Sequence, residues 1–415
     1  MTMMAGAAKM NHARVSHAWL WLGVALGASG CGDDGGTLVL DATDTANDTT
    51  EVESDTAADG TMGSDAVIAW PNGCDAGPCE SGACRSGVCV EDPPEGDLSY
   101  TTEPVDNAPT TEWPDLSCVD TTLTAPVQSS VATLYGAVAR FGKGRKTAGM
   151  KVEVLAAEGF DPSACEAERS VDARKLCYRN YGTPLGTTTS VAAPTPTNLP
   201  ETCTKHEECP LGYQCFDPSE LGGTCEEQFG LYEVSGIPLD TPLIIRTYAT
   251  SGESQWRDTF VFNVILHSER AVDGRVQYDA QIVSEGQWQL TTNSVGLPDI
   301  DVENGAIGGR IRDCAGTREV SWPVADVRLG LANPGRAIVY FNDLEDDTVP
   351  LIDRESTDII GRFAALDVPP GWNRMAGAAR VDGAVVSIGA APVYVMPGAL
   401  SIVSWPGTTP YWRQQ

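Results

Sequence analysis

The sequence predicts a mainly β protein: two β-sandwich domains, preceded by a disordered acidic tether and a disulfide-rich knot. Three observations carry this reading. Short apolar runs with partial two-residue alternation recur between turn residues, among them Val131 to Ala139 (VATLYGAVA), Gly149 to Ala156 (GMKVEVLA) and Thr259 to Leu266 (TFVFNVIL). The order of these runs repeats once along the chain. Thirteen cysteines follow or close an export-type leader, and setting aside Cys31 leaves an even twelve for disulfides in an oxidising compartment.

Residues 1–30 have a positive start at Lys9 and Arg14, a short apolar run from Ala18 to Ala28, and small residues Ser29 and Gly30 before Cys31. This is the layout of a secretory signal, whose apolar region is roughly 7–15 residues. The run falls short of the ~20 residues a spanning helix needs. Ala28-Ser-Gly-Cys31 resembles a bacterial lipobox, which implies cleavage before Cys31 and acylation of that residue. Two or more acyl chains, each buried CH₂ contributing ~0.8 kcal/mol, would then anchor the chain in a membrane. Gly32 stands where Asp would resemble an inner-membrane retention signal, which favours the outer membrane.

Residues 31–69 form the tether: from Gly32 to Asp65 there is no Lys or Arg, and too little apolar surface for a core. About forty such residues reach ~130 Å at full stretch. The knot, residues 70–90, places Cys74, Cys79, Cys84 and Cys89 at five-residue steps. Four cysteines at this spacing bind zinc in a reducing cytosol; outside the cell they read as disulfides, with three pairings open. A Pro/Glu/Asp/Thr-rich linker covers 91–117.

The first sandwich is expected over 118–285, with Cys118, Cys165 and Cys177, and with an inserted cysteine-rich module at about 203–225 holding Cys203, Cys209, Cys215 and Cys225. The spacing around Gly212 resembles the small cysteine-rich units of extracellular proteins, such as the Dickkopf N-terminal type. Pairs are expected to stay inside each module, with one pair among Cys118, Cys165, Cys177 and Cys314 crossing between sandwiches. Val276 to Thr292 fits a short helix or two strands equally. A connector (286–304), the second sandwich (305–408) and a tail (409–415) complete the chain.

The repeat is explicit. Leu134 to Arg140 matches Ile307 to Arg312, and Val152-Glu-Val154 matches Val327-Arg-Leu329. Gly230 and Pro238 match Gly361 and Pro369, each pair 131 residues apart. Earlier blocks are offset by about 174, and the Cys165–Cys225 insertion accounts for the difference. A strand with central Gly, then Thr357-Asp358-Ile-Ile-Gly361-Arg-Phe363, then Val368-Pro-Pro-Gly371 resembles the carboxypeptidase regulatory-like (transthyretin-like) β-sandwich. In bacteria this resemblance implies a non-catalytic stalk, adhesion or accessory module. The whole arrangement resembles surface lipoproteins of myxobacteria. Gly361 suits a positive-φ turn, and Phe363 then points into the sandwich.

The formal net charge of -30 argues against nucleic acid and anionic lipid as partners. No H-E-x-x-H pair, Walker loop or complete nucleophile elbow is present, so no catalytic residue, cofactor or enzyme activity is expected. Asp299, Asp301 and Glu303 are weak calcium candidates on ligand type alone. Trp372, Trp405, Tyr411 and Trp412 are candidate ligand-contact aromatics. The expected function is structural or adhesive: a lipid-anchored envelope protein presenting its sandwiches to an envelope protein or polysaccharide. The alternative is a carbohydrate-binding accessory protein of a surface polysaccharide system.

Overall fold

A computed structural model of the chain describes residues 70–405, apart from 75–76, 101–113, 118, 120–129, 142–146, 201, 204–207, 217–222, 228, 251–254, 314–322, 342–348 and 359–360. Cys31, Cys118, Cys314, Tyr411, Trp412, the leader, the tether and the tail lie outside the described residues. The fold is mainly β. The knot holds β1 (Ala83–Arg85) and β2 (Val88–Val90), and β3 (Ser99–Tyr100) follows. The first repeat contains β4 (Val131–Phe141), β5 (Met150–Ala156), α1 (Val171–Asn180), β6 (Gly186–Thr189), β7 (Tyr213–Phe216), β8 (Thr224–Glu227), β9 (Leu231–Pro238), β10 (Pro242–Ala249), β11 (Trp256–Arg257), β12 (Thr259–Ile265), β13 (Arg275–Gln277) and β14 (Ala280–Ser284). After α2 (Glu285–Ser294) come β15 (Gly305–Ile311), β16 (Val324–Ala325), β17 (Arg328–Leu331), β18 (Ala337–Phe341), β19 (Pro350–Leu351), β20 (Arg362–Val368), β21 (Gly371–Val381), β22 (Ala384–Val395) and β23 (Leu400–Trp405).

The repeat seen in the sequence is a repeat of pairing. β4 lies antiparallel to β9 and parallel to β14, as β15 lies antiparallel to β20 and parallel to β23. β10 lies between β5 and β12, as β21 lies between β17 and β22, all antiparallel. Each copy also bulges at the same place. The register slips where β4 meets β9 and where β15 meets β20, beside Gly236 (φ 76°) and Asp367 (φ 56°). A bulge needs a residue that tolerates left-handed backbone, and Gly or Asp supplies it. Gly361 has φ 62° and Phe363 is 2% exposed, as its motif requires. Thr357 is fully buried: its Oγ1 donates to the Val324 carbonyl (3.0 Å) and accepts from the Val327 N–H (3.1 Å), fixing the entry to β17.

The two copies share a sheet. β12 of the first pairs in parallel with β23 of the second, Thr259 opposite Leu400, Phe260 opposite Ser401 and Val261 opposite Ile402. One nine-stranded sheet results, in the order β19-β18-β20-β15-β23-β12-β10-β5-β6. Side chains alternate across a strand, so one face of this sheet is interior to the first sandwich and the other to the second. Val152, Val154, Ile245 and Val261 face the first core with β4 and β9. Ile307, Tyr340, Phe363 and Val403 face the second with β21 and β22.

Each face therefore has one half covered by strands and one half that needs another cover. Over the first copy, Phe160, Cys165 and Tyr178 of the helical insertion pack on Leu155, Ile244, Phe260 and Phe262. Over the second, Trp288 and Leu297 of the α2 segment pack on Ala306, Val339, Phe341, Ala364 and Leu366. Residues 276–292 are thus strand, then helix. The expected connector at 286–304 is instead the lid of a sheet face, because a half-sheet of buried apolar residues cannot be left in water. Both helices start on serine caps: Ser170 Oγ accepts the Ala173 N–H (3.1 Å) and Ser284 Oγ the Gln287 N–H (3.2 Å).

The knot sits on the second copy, not on the first. Val88 and Val90 pack on Ala332, Ala376 and Ala378, and a β-carbon at Gly330 would lie 2.7 Å from the Cys89 carbonyl. Small residues on β17 and β21 let the knot's backbone approach this closely. The segment expected as a free linker at 91–117 is in part docked as well. Leu98 is 1% exposed, its N–H donates to the Arg380 carbonyl (2.7 Å), and β3 pairs with β16.

Close strand approach also sets a test of the shared sheet. A β-carbon at Gly309 would lie 1.8 Å from the Val403 carbonyl oxygen, whereas one at Gly308 would meet the Leu400 Cδ1 at 3.3 Å. Gly309→Ala should lower chemical-denaturation stability by about 2–3 kcal/mol and Gly308→Ala by far less. Equal effects would contradict the described β15–β23 register.

Candidate functional site

Two consecutive residues at the entry to β12 hold both helices to the shared sheet. Arg257 reaches α2: its Nε and Nη2 donate to Glu285 Oε2 (2.6 Å) and Oε1 (2.9 Å), and its guanidinium lies 4.5 Å over the Trp288 ring. Its Nη1 donates to the Gly398 carbonyl, in the turn before β23 (3.2 Å). Asp258 reaches α1, accepting from Arg179 Nε (2.8 Å) and Nη2 (2.6 Å). The Asp258 carbonyl also accepts the Leu400 N–H (3.0 Å), extending the β12–β23 pairing. Arg–carboxylate pairs of this fork geometry are directional, so they orient as well as attract.

A deeper ionic group seats α1. Arg246 on β10 is 2% exposed and lies opposite Glu153 on β5. Its Nε donates to Glu153 Oε2 (2.7 Å), and its Nη1 donates to the carbonyls of Tyr178 (2.9 Å) and Tyr181 (3.0 Å) at the end of α1. A cation at a helix C-terminus meets both the orphan carbonyls and the negative end of the dipole. Tyr248 Oη donates to Glu153 Oε1 (3.0 Å), and burial, then the Glu153 charge, push this phenol up to about 12. Tyr394, which burial and the adjacent Glu166 hold strongly protonated, donates to that carboxylate.

Between these attachments lies a cleft of about 630 Å³, lined by Lys175 and Arg179 of α1, Glu285 and Gln289 of α2, Val302, and the 396–399 turn. None of these positions carries a motif. Arg179 and Asp258 are 79 residues apart, Arg257 and Gly398 141 apart.

The cysteines pair within their modules as expected: Cys74–Cys84 and Cys79–Cys89, then Cys203–Cys215 and Cys209–Cys225. Both modules use first-to-third and second-to-fourth pairing. In each, the last two cysteines face one another across a hairpin, Cys84 opposite Cys89 and Cys215 opposite Cys225. Cys165 pairs with Cys177, so neither contributes a bridge between sandwiches. Among the described residues, the groups of three metal-ligand side chains are Cys74/Cys79/Cys89 and Cys203/Cys209/Cys225, and all six sulfurs are in disulfides.

Asp299, Asp301 and Glu303 do not gather around a common point. Asp301 Oδ1 accepts the Glu303 N–H (2.9 Å), and Glu303 pairs with Arg174 (2.8 Å). Trp372 is half-buried: its ring meets Tyr394 at 87° with 5.2 Å between centroids, and its Nε1 donates to Asp161 Oδ1 (3.2 Å). Trp405 is the last residue of β23.

No family model and no curated protein matches the chain. Among solved structures it is similar to the shaft pilin SpaA from Lactobacillus rhamnosus GG, at 9% identity over 67% of this chain and 99% of that one, with a TM-score of 0.18. It is also similar to the Bacillus anthracis TIE protein, at 6% identity over 66% of this chain and 33% of that one, with a TM-score of 0.16. At TM-scores this low neither carries an argument about function.

Burial alone would raise the Glu285 carboxyl, but the Arg257 hydrogen bonds and charge outweigh it and hold Glu285 below its usual 4.5. A depressed carboxyl stabilises the fold above its unfolded pKa, and that contribution is lost as pH falls through the folded value. Glu285→Gln should cost roughly 1 kcal/mol at pH 7. The gap to wild type should begin to close as pH falls below 4.5. A gap that is constant with pH would contradict the ion pair.

Proposed function

We propose that this chain is a non-enzymatic lipoprotein of the cell envelope, anchored through acylated Cys31, that presents a stiff double β-sandwich to a protein or polysaccharide partner outside the membrane. The observation that carries the reading is the set of five disulfides in three separate modules. Cross-links of this density form and persist outside a reducing cytosol. They agree with the export-type leader before Cys31 and with the long acidic tether after it. No described helix is long and apolar enough to cross a membrane. The repeated strand pairing supports the transthyretin-like resemblance, and with it a presenting role.

The glycan-binding alternative needs an aromatic face free to stack on a sugar ring. Trp372 commits its indole N–H to Asp161 and its ring to Tyr394, which favours the structural reading.

Metabolic labelling with a palmitate analogue tests the anchor. Wild-type protein should carry label and sediment with membranes; Cys31→Ala should carry none and be released to the soluble fraction. Unlabelled wild-type protein, or labelled Cys31→Ala, would contradict it. Protease shaving of intact cells then tests presentation: release of peptides from beyond Thr121 is the expected result. Protection until the outer membrane is opened would place the partner in the periplasm.

A further inference from the structure

The cleft between the two helices is polar where water reaches it. Lys175, Arg179, Arg257, Asp258 and Glu285 are half-buried in it and Gln289 is exposed, whereas Phe260, Met396 and Pro397 are buried behind them. Most of the hydrogen-bonding capacity of these groups is used inside the protein. Arg257 engages all three guanidinium nitrogens, two on Glu285 and one on the Gly398 carbonyl. Arg179 engages Nε and Nη2 on Asp258, and Gln289 Nε2 donates to Glu285 Oε1 (3.1 Å). Three groups are left. Among the described residues, Lys175 Nζ and Arg179 Nη1 have no acceptor, and Gln289 Oε1 has no donor. The two Arg–carboxylate pairs are neutral, so Lys175 gives the cleft one net positive charge.

The placement of these groups is built. Lys175 and Arg179 stand one turn apart on α1, the spacing that sets two side chains on one face. The lysine stem lies across Gly398, where a β-carbon would sit 2.7 Å from Cε and 2.8 Å from Nζ. Gly398 also has φ 65°, so the turn both requires glycine and clears a bed for the lysine. Gln289 comes from the other helix, α2. The volume of about 630 Å³ falls among small-ligand sites, about 300–1,000 Å³. Two donors on one wall suit the two oxygens of a carboxylate, and an acceptor from the other helix suits a hydroxyl. The matching ligand has one negative charge on a hydroxylated body. A phosphate monoester brings nearly two charges against one. An apolar acid leaves Gln289 Oε1 unmatched and strips water from the polar wall without replacing its hydrogen bonds.

We propose that this cleft binds an acidic sugar unit, a uronic acid of an envelope polysaccharide, with the carboxylate on Lys175 Nζ and Arg179 Nη1 and a ring hydroxyl donating to Gln289 Oε1. The contacts to the carboxylate are charge-assisted hydrogen bonds, and the site uses no ring stacking, so the commitment of Trp372 does not bear on it. This deepens the envelope reading by choosing polysaccharide as the partner, and it rests on that reading for the presence of such a polymer outside the membrane.

The test titrates the full chain with methyl glucuronide, methyl glucoside, propionate and N-acetyl-aspartate N-methylamide, read by saturation-transfer NMR and calorimetry. The glucuronide should bind saturably and about ten-fold or more tightly than each of the other three, which lack the charge, the hydroxyls or the sugar ring. Lys175→Met should abolish the preference for glucuronide over glucoside while leaving the thermal midpoint unchanged. Gln289→Ala, at an exposed position, should weaken the glucuronide about three-fold or more and keep its preference over the glucoside. No saturable binding, equal binding of glucuronide and glucoside, or a preference that survives Lys175→Met would each overturn the proposal. So would propionate or the aspartate amide binding as tightly as the glucuronide, the latter pointing to an acidic peptide instead. A negative labelling result at Cys31 would contradict the lipid anchor and leave these outcomes unaffected.

Discussion

The parallel pairing of β12 with β23 is the constraint on which the rest of the structure depends. It places the edge strand of one repeat beside the edge strand of the other, so two sandwiches share one sheet. Joining the edges removes two unpaired strand edges, which would otherwise invite aggregation. It also creates a new requirement. Each face is inside one sandwich and outside the other, and the outside halves carry Phe260 and Phe262 on one side and Val339 and Phe341 on the other. Fully burying such a side chain contributes about 1.5–3 kcal/mol. The helical insertion and α2 exist, in physical terms, to realise that burial. Arg257 and Asp258 then attach one helix each, from adjacent positions just before the strand that forms the seam.

The disulfide modules solve a different problem. Hairpins as short as β1–β2 or β7–β8 are marginal in water by themselves. Two cross-links per hairpin remove much of the freedom of the unfolded loop, a contribution of about 2–4 kcal/mol each. The first module adds a docking face, Val88 and Val90 against alanines of the second repeat. At the matching positions the second module has Thr224 and Glu226, both exposed. One hairpin design is thus used once as a buried brace and once as a surface feature.

Much of the fold was legible beforehand. The repeat could be read because pairing order leaves a trace in spacing: 131 residues separate Gly230 from Gly361, and the same interval separates the bulge residues Gly236 and Asp367. Pairing within cysteine modules was legible because short loops allow few partners. The shared sheet was not, since a parallel contact between Thr259 and Leu400 joins positions far apart in the sequence and needs no special residue. The role of α2 was hidden because Ile282, Val283, Trp288 and Leu290 fit both periods; only the sheet beneath decides. The cleft was hidden because its charges come from three separate stretches, around Lys175, Arg257 and Glu285, each ordinary by itself.

A double sandwich covered on both faces of its shared sheet suits the proposed presenting role. The central claim is that the two repeats are one cooperative unit joined at the seam. Native-state hydrogen exchange over Thr259–Ile265 and Leu400–Trp405 tests it most directly. The account predicts that seam amides exchange only with global unfolding, at the same free energy as core amides of β10 and β21. Exchange of the seam at a much lower free energy, with β10 and β21 protected to different degrees, would show two independent sandwiches in contact and contradict it.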